Sequence, residues 1–128
     1  MTSRIAVLCI DAVEPRRVAD FWCRVLGWQI VEEGEDGSLC LGPPGKPEPG
    51  IDVLPVPERK TLKNRLHLDL RADGSSTGEE LARLLELGAR KVDVGQSGDA
   101  DWTVLADPEG NEFCLLATPA QRAEGREN

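Results

Sequence analysis

The chain has 128 residues, 40% hydrophobic and 30% charged, which fits one globular domain and excludes both a multidomain enzyme and wholesale disorder. Its formal net charge of -8, with no basic cluster, argues against a nucleic-acid partner, because phosphate binding rests on grouped Lys and Arg that displace counterions. No apolar run approaches the roughly 20 residues needed to cross a bilayer, and the apolar segment of "MTSRIAVLCIDAVEP" is too short for a secretory signal, so no membrane contact and a cytoplasmic location are expected.

The first strand-like run is "RIAVLCI", residues 4–10. "EPRRVADFWCRVLGW" follows, with Val18, Phe21, Trp22, Val25 and Leu26 on the stripe of an amphipathic helix. Pro15 suits its first turn behind Glu14, and Gly27 suits its end, where a left-handed backbone stops the helix. Three more strand-like runs come next: "WQIVEE" (28–33), "SLCLG" (38–42) and "GIDVLPV" (50–56). Between the last two, "LGPPGKPEPG" has to be a loop, since its prolines cannot donate to a sheet. The polar "PVPERKTLKN" then reads as a linker.

The plan repeats in the second half. "RLHLDLR" (65–71) is a strand; "STGEELARLLELGA" is a helix with Thr77 and Glu80 as a capping box, Leu81, Leu84 and Leu85 on one face, and Gly88 at its end. "RKVDVG" (90–95), "WTVLA" (102–106) and "EFCLLA" (112–117) complete it. Leu26-Gly27 recurs as Leu87-Gly88, 61 residues later, which supports an internal duplication. The tail "TPAQRAEGREN" has no apolar stripe, so residues 119–128 are expected to fray. Cys9, Cys23, Cys40 and Cys114 show no paired metal spacing and read as reduced thiols, mostly in the core.

This layout, together with "FWCRVLGW", "NRLHLDL" and "VLADPEGNEFCLL", resembles the vicinal oxygen chelate superfamily, which also contains bleomycin resistance proteins and dioxygenases, and most closely its glyoxalase-like branch. The resemblance implies an α+β fold in which two βαβββ modules, about residues 3–57 and 64–117 of one domain spanning 1–118, form a curved mixed sheet around a cleft. It also implies a homodimer, because such modules commonly pair across subunits. Enzymatic members hold a metal with one ligand on the first and last strand of each module. Counted from the motifs, those positions are Val7, Leu54, His67 and Cys114, and the spacings Val7 to His67 and Leu54 to Cys114 are both 60 residues. Only His67 and Cys114 have donor atoms, so neither the family's metal nor any other cofactor is expected, and metal-dependent glyoxalase or dioxygenase activity is disfavoured.

Alternation assigns the faces of the strands. Leu66, Leu68 and Leu70 are expected in the core, with Arg65, His67, Asp69 and Arg71 on the concave side. Asp52, Leu54 and Val56, Glu112, Cys114 and Leu116, and Val7, Cys9 and Asp11 join that side, while Ile51, Val53, Phe113 and Leu115 go to the core. The expected ligand-binding set is Cys9, Asp52, Leu54, Arg65, His67, Asp69, Trp102, Glu112 and Cys114. Each has a plainer role beside it. His67 is a general base or a hydrogen-bonded neighbour of Asp69 or Asp52; Cys114 is a nucleophile beside His67 or a packing residue. Arg65 and Asp69 form a pair or bind an anion, and Trp102 stacks on a ligand or packs. Trp22 and Trp28 are assigned to the core or an interface. For "DPEGN", a tight turn is a better account than a calcium loop through Asp107, Glu109 and Asn111.

The expected function is binding of a small organic molecule in the cleft without the family metal. The alternatives are a lyase- or dioxygenase-type enzyme with a non-standard site around His67 and Cys114, drawing on Glu112 and Asp52, and a structural or regulatory interaction module.

Overall fold

The computed structural model describes residues 1–46, 48–92 and 102–117. The chain divides into two compact units at Thr61 and Leu62, and each carries one βαβββ module and its own four-stranded mixed sheet.

In the first unit, β1 (Val7–Ala12), α1 (Pro15–Leu26), β2 (Gln29–Glu33), β3 (Leu39–Gly42) and β4 (Gly50–Pro55) follow in sequence. The sheet order is β1-β4-β3-β2, with β1 parallel to β4 and the other pairs antiparallel. The parallel pair needs a crossover, which α1 begins. Pro15 supplies the pre-set backbone angle of its first turn. At the far end Gly27, at φ 70°, closes the helix with its N–H on the Cys23 carbonyl. Val18, Ala19, Phe21, Trp22 and Val25 are buried. The Phe21 and Trp22 rings meet edge to face, 5.2 Å apart at 88°. They pack with Leu39, Leu41, Ile51 and Val53, the inward set of β3 and β4, leaving Cys40, Asp52 and Leu54 on the opposite, half-buried face.

In the second unit, β5 (Leu68–Arg71), α2 (Thr77–Leu87), β6 (Arg90–Lys91), β7 (Trp102–Ala106) and β8 (Glu112–Leu116) give the order β5-β8-β7-β6, with β5 parallel to β8. Phe113 and Leu115 are buried, as are Leu84 of α2, Leu105 and Ala89.

Several sequence expectations change. The first strand starts at Val7, not residue 4, and Ile5 is exposed. The capping box is one residue earlier than expected: Ser76 Oγ accepts from the Glu79 N–H at 3.1 Å, and Glu79 Oε1 accepts from the Ser76 N–H at 3.0 Å. Glu80, freed from that role, pairs with Arg83 at 2.7 Å. Leu85 is 39% exposed, so the buried stripe of α2 centres on Leu84. Leu66, assigned to the core, is 79% exposed. The β5–β8 ladder starts at Leu68↔Phe113, so Leu66 would have to pair with Asn111, which the preceding turn already uses. Of the expected strand 90–95, Arg90 and Lys91 are β6 and residues 93–95 lie outside the described residues, as does the tail from 118.

Candidate functional site on the open face of the second module

β8 is entered through the "DPEGN" turn. Asp107 is completely buried, and its carboxylate accepts from the backbone N–H groups of Glu109 and Asn111 and from the Asn111 side-chain amide, each at 2.9 Å. Gly110, at φ 90°, completes the turn by donating to the Asp107 carbonyl at 2.9 Å. These bonds make Asp107 the organiser of a turn, in keeping with the reading against a calcium loop. They also fix the phase of β8, so that Phe113 and Leu115 enter the core while Glu112, Cys114 and Leu116 take the other face.

The strand ladders assemble that other face. Cys114 lies between Val104 of β7 and Asp69 of β5, and Leu116 lies opposite Trp102. His67, two residues before Asp69, shares its side, and its Nε2 is 3.3 Å from Asp69 Oδ1. Glu112 Oε1 accepts from the Asn64 N–H at 2.9 Å and so holds the coil that delivers His67. The result is a concavity of about 340 Å³. Buried Val104 and Cys114, with Leu116, form its floor; Lys63, His67, Asp69, Trp102 and Glu112 rise around it. Trp102 is 42% exposed, so much of its ring is open to solvent.

Electrostatics set the state of the thiol. Burial, then the charge and hydrogen bond of Asp69, push Cys114 up to about 11, against a smaller opposing effect of Lys63. At neutral pH Cys114 is therefore a protonated thiol, which argues against a free thiolate nucleophile paired with His67.

Of the nine expected ligand-binding residues, His67, Asp69, Trp102, Glu112 and Cys114 come together here. Arg65 is exposed in the coil before β5 and is not part of the concavity. Cys9, Asp52 and Leu54 lie on the corresponding face of the first module. There Asp52 pairs with both Cys9 and Cys40 across the sheet, and burial followed by the Asp52 hydrogen bond and charge raises the Cys40 thiol to about 11. Val104 was missed although alternation with Trp102 implies it; Lys63 sits in coil, where no periodicity points to it.

The two modules differ in register. Asp11 pairs with Leu54, a separation of 43 (54 − 11), whereas Asp69 pairs with Cys114, a separation of 45 (114 − 69). The two equal spacings of 60 therefore do not mark ladder-equivalent positions. If Cys114 is set on Leu54, Asp69 falls on Asp11 and His67 on Cys9. The period of two keeps all of them on the same face. Val7 and Leu54, the positions counted from the motifs, carry no donor atom, but by the ladder the first-module counterpart of His67 is Cys9 rather than Val7.

All four cysteines are free thiols, and among the described residues no helix is long and apolar enough to cross a membrane. No curated protein matches the chain. Similar solved structures include TnmS3, an antibiotic binding protein from Streptomyces sp. CB03234 (20% identity, TM-score 0.58, covering 90% of this chain and 95% of that one). A glyoxalase/bleomycin resistance protein/dioxygenase family enzyme from Burkholderia phytofirmans PsJN aligns at 16% identity and TM-score 0.66, covering 88% and 97%. The fosfomycin resistance protein FosX from Listeria monocytogenes aligns at 12% identity and TM-score 0.71, covering 98% and 99%. At these identities the likeness speaks for the fold. The model of the glyoxalase-like domain matches residues 7–116, nearly the whole of both βαβββ modules, and the chain accordingly belongs to the glyoxalase-like domain family of the vicinal oxygen chelate superfamily.

Proposed function

We propose that this protein binds a small organic molecule in the concavity of its second module, and that it does so without the four-ligand metal centre of the family's enzymes. The observation that carries the reading is the concavity itself: about 340 Å³, an apolar floor, a half-open indole and a few convergent polar groups. Ligand sites are typically built in this way, with apolar surface for affinity and sparse polar groups for orientation. Trp102 offers a face for a planar ligand, while Asp69 and Glu112 favour a hydrogen-bond donor or a cation on it. The antibiotic binding protein from Streptomyces and the fosfomycin resistance protein, both similar in fold, lend support to a small-molecule role.

The test is a thermal-shift screen of planar and cationic organic compounds on chelator-treated protein. A binder raises the melting temperature with increasing concentration in the wild type. The Trp102→Ala variant should lose most of that rise, and a rise unchanged in that variant would count against this site.

An enzyme of the lyase or dioxygenase type is the second reading, favoured by the convergence of His67, Asp69 and Cys114 with His67 as general base. The raised thiol weakens its nucleophilic version. We also assign the protein to the cytoplasm, in line with its free thiols, and to a homodimer, whose interface would cover exposed apolar residues such as Val7, Val31 and Leu66. Light scattering during size-exclusion chromatography checks the second assignment.

A further inference from the structure

Lys63 brings to the concavity a positive charge that nothing among the described residues answers. It is the one Lys or Arg in the lining, and among the described residues its ammonium is in no ion pair. The carboxylates beside it are engaged elsewhere. Asp69 Oδ1 lies 3.3 Å from His67 Nε2, and the Asp69 carboxylate also accepts from the Cys114 thiol. Glu112 Oε1 accepts from the Asn64 N–H at 2.9 Å. That bond ties the residue next to Lys63 onto β8, so the root of the lysine is held in place although its side chain is exposed. The ammonium also acts on the floor, where it opposes part of the rise in the Cys114 thiol.

We infer, on the footing that this concavity is the ligand site proposed above, that its ligand is amphoteric: a flat aromatic molecule with a carboxylate set on Lys63 and an amino or hydroxyl donor set on Asp69. Ligands of a single sign fit less well. An organic cation meets the uncovered Lys63 ammonium. A simple anion has to approach a chain of net charge -8 and leaves the carboxylates of Asp69 and Glu112 with nothing to bind. A molecule that carries both groups has little net charge to be repelled, and each group meets its opposite. Asp69 has room for it, because a carboxylate offers about four lone-pair sites and His67 and Cys114 occupy only part of them. The ring belongs against Trp102, which is 42% exposed, and over Val104 and Leu116. A volume of about 340 Å³ is near the lower end of the range for small-molecule sites and suits one or two fused rings.

The probe is 6-amino-2-naphthoate, titrated calorimetrically into the full-length chain at neutral pH. It is compared with 2-naphthoate, which lacks the donor, and with the methyl ester of the probe, which lacks the anion. The wild type should bind the probe about tenfold more tightly than either comparator, the worth of one charge-assisted hydrogen bond. Lys63→Gln, at an exposed coil position with little effect on folding, should weaken the probe about tenfold and leave the ester unchanged, while Lys63→Arg keeps the preference. Asp69→Asn should narrow the margin of the probe over 2-naphthoate. A margin over the ester that survives Lys63→Gln, a wild type that binds ester and probe equally, or a wild type that binds none of the three would overturn the amphoteric ligand, while the concavity is judged separately by the thermal-shift screen. Binding of the probe that Trp102→Ala leaves unchanged would place the compound elsewhere and overturn both.

Discussion

Replacing Asp107 tests whether the turn before β8 is held by that one carboxylate. In Asp107→Ala, the N–H groups of Glu109 and Asn111 and the Asn111 amide lose an acceptor. An unsatisfied donor costs about 1–3 kcal/mol when buried. These donors are only partly buried, so the low end applies and the sum is about 3 kcal/mol. With a urea m-value of about 1.5 kcal/mol/M, that moves the unfolding midpoint down by about 2 M. Asp107→Asn is more discriminating. Its carbonyl oxygen can still accept both backbone N–H groups, but its amide then meets the Asn111 amide donor to donor, at a cost of about 1–2 kcal/mol. Adding Asn111→Asp restores a donor–acceptor pair, so the double variant should recover about 1 kcal/mol over Asp107→Asn alone. Urea unfolding followed by tryptophan fluorescence and far-UV circular dichroism reads all three variants. An Asp107→Asn protein as stable as the wild type, or a double variant no better than the single one, would refute the reasoning.

Two further substitutions or titrations follow from the same geometry. Ser76→Ala should destabilise the protein by about 1 kcal/mol through loss of the cap, whereas Thr77→Ala should change little; the reverse ranking in urea unfolding would restore the box at Thr77 and Glu80. Cys40 and Cys114 are both raised to about 11, so in the folded chain their alkylation by iodoacetamide should stay slow through pH 9 and accelerate toward pH 11, while the denatured chain reacts with a midpoint near the usual thiol value of about 8.5. The unfolded chain loses these protons first, so the stabilisation present below the unfolded thiol value declines as pH rises from there toward 11. Unchanged unfolding midpoints across that interval would contradict the raised values.

Local signals carried most of the fold. Pro15, the apolar stripe from Val18 to Val25 and Gly27 lie within one segment, and α1 formed where they placed it. The alternation of Ile51 and Val53, and of Phe113 and Leu115, likewise identified the buried faces. Where a second solution fitted the same pattern, the sequence did not decide. Ser76 with Glu79 and Thr77 with Glu80 both satisfy the capping spacing, and the extended backbone at Ser76 selects the first. Alternation also continued through Leu66 because nothing in "RLHLDLR" marks where the partner strand ends; that limit is set by the turn at Asn111, 45 residues away. The site divides in the same way. Its residue types and their common side were legible, but the pairing of Asp69 with Cys114, which adds to the rise that burial gives the thiol, depends on a long-range register that no local pattern contains.

Whether the open face of the second module takes a small organic molecule is decided by a crystal structure of the chelator-treated protein with the strongest compound from the thermal-shift screen. The compound should lie against the Trp102 indole and over the Val104–Cys114 floor, with a polar group directed to Asp69 or Glu112. A compound seated away from these residues, with the concavity holding only solvent, would contradict it.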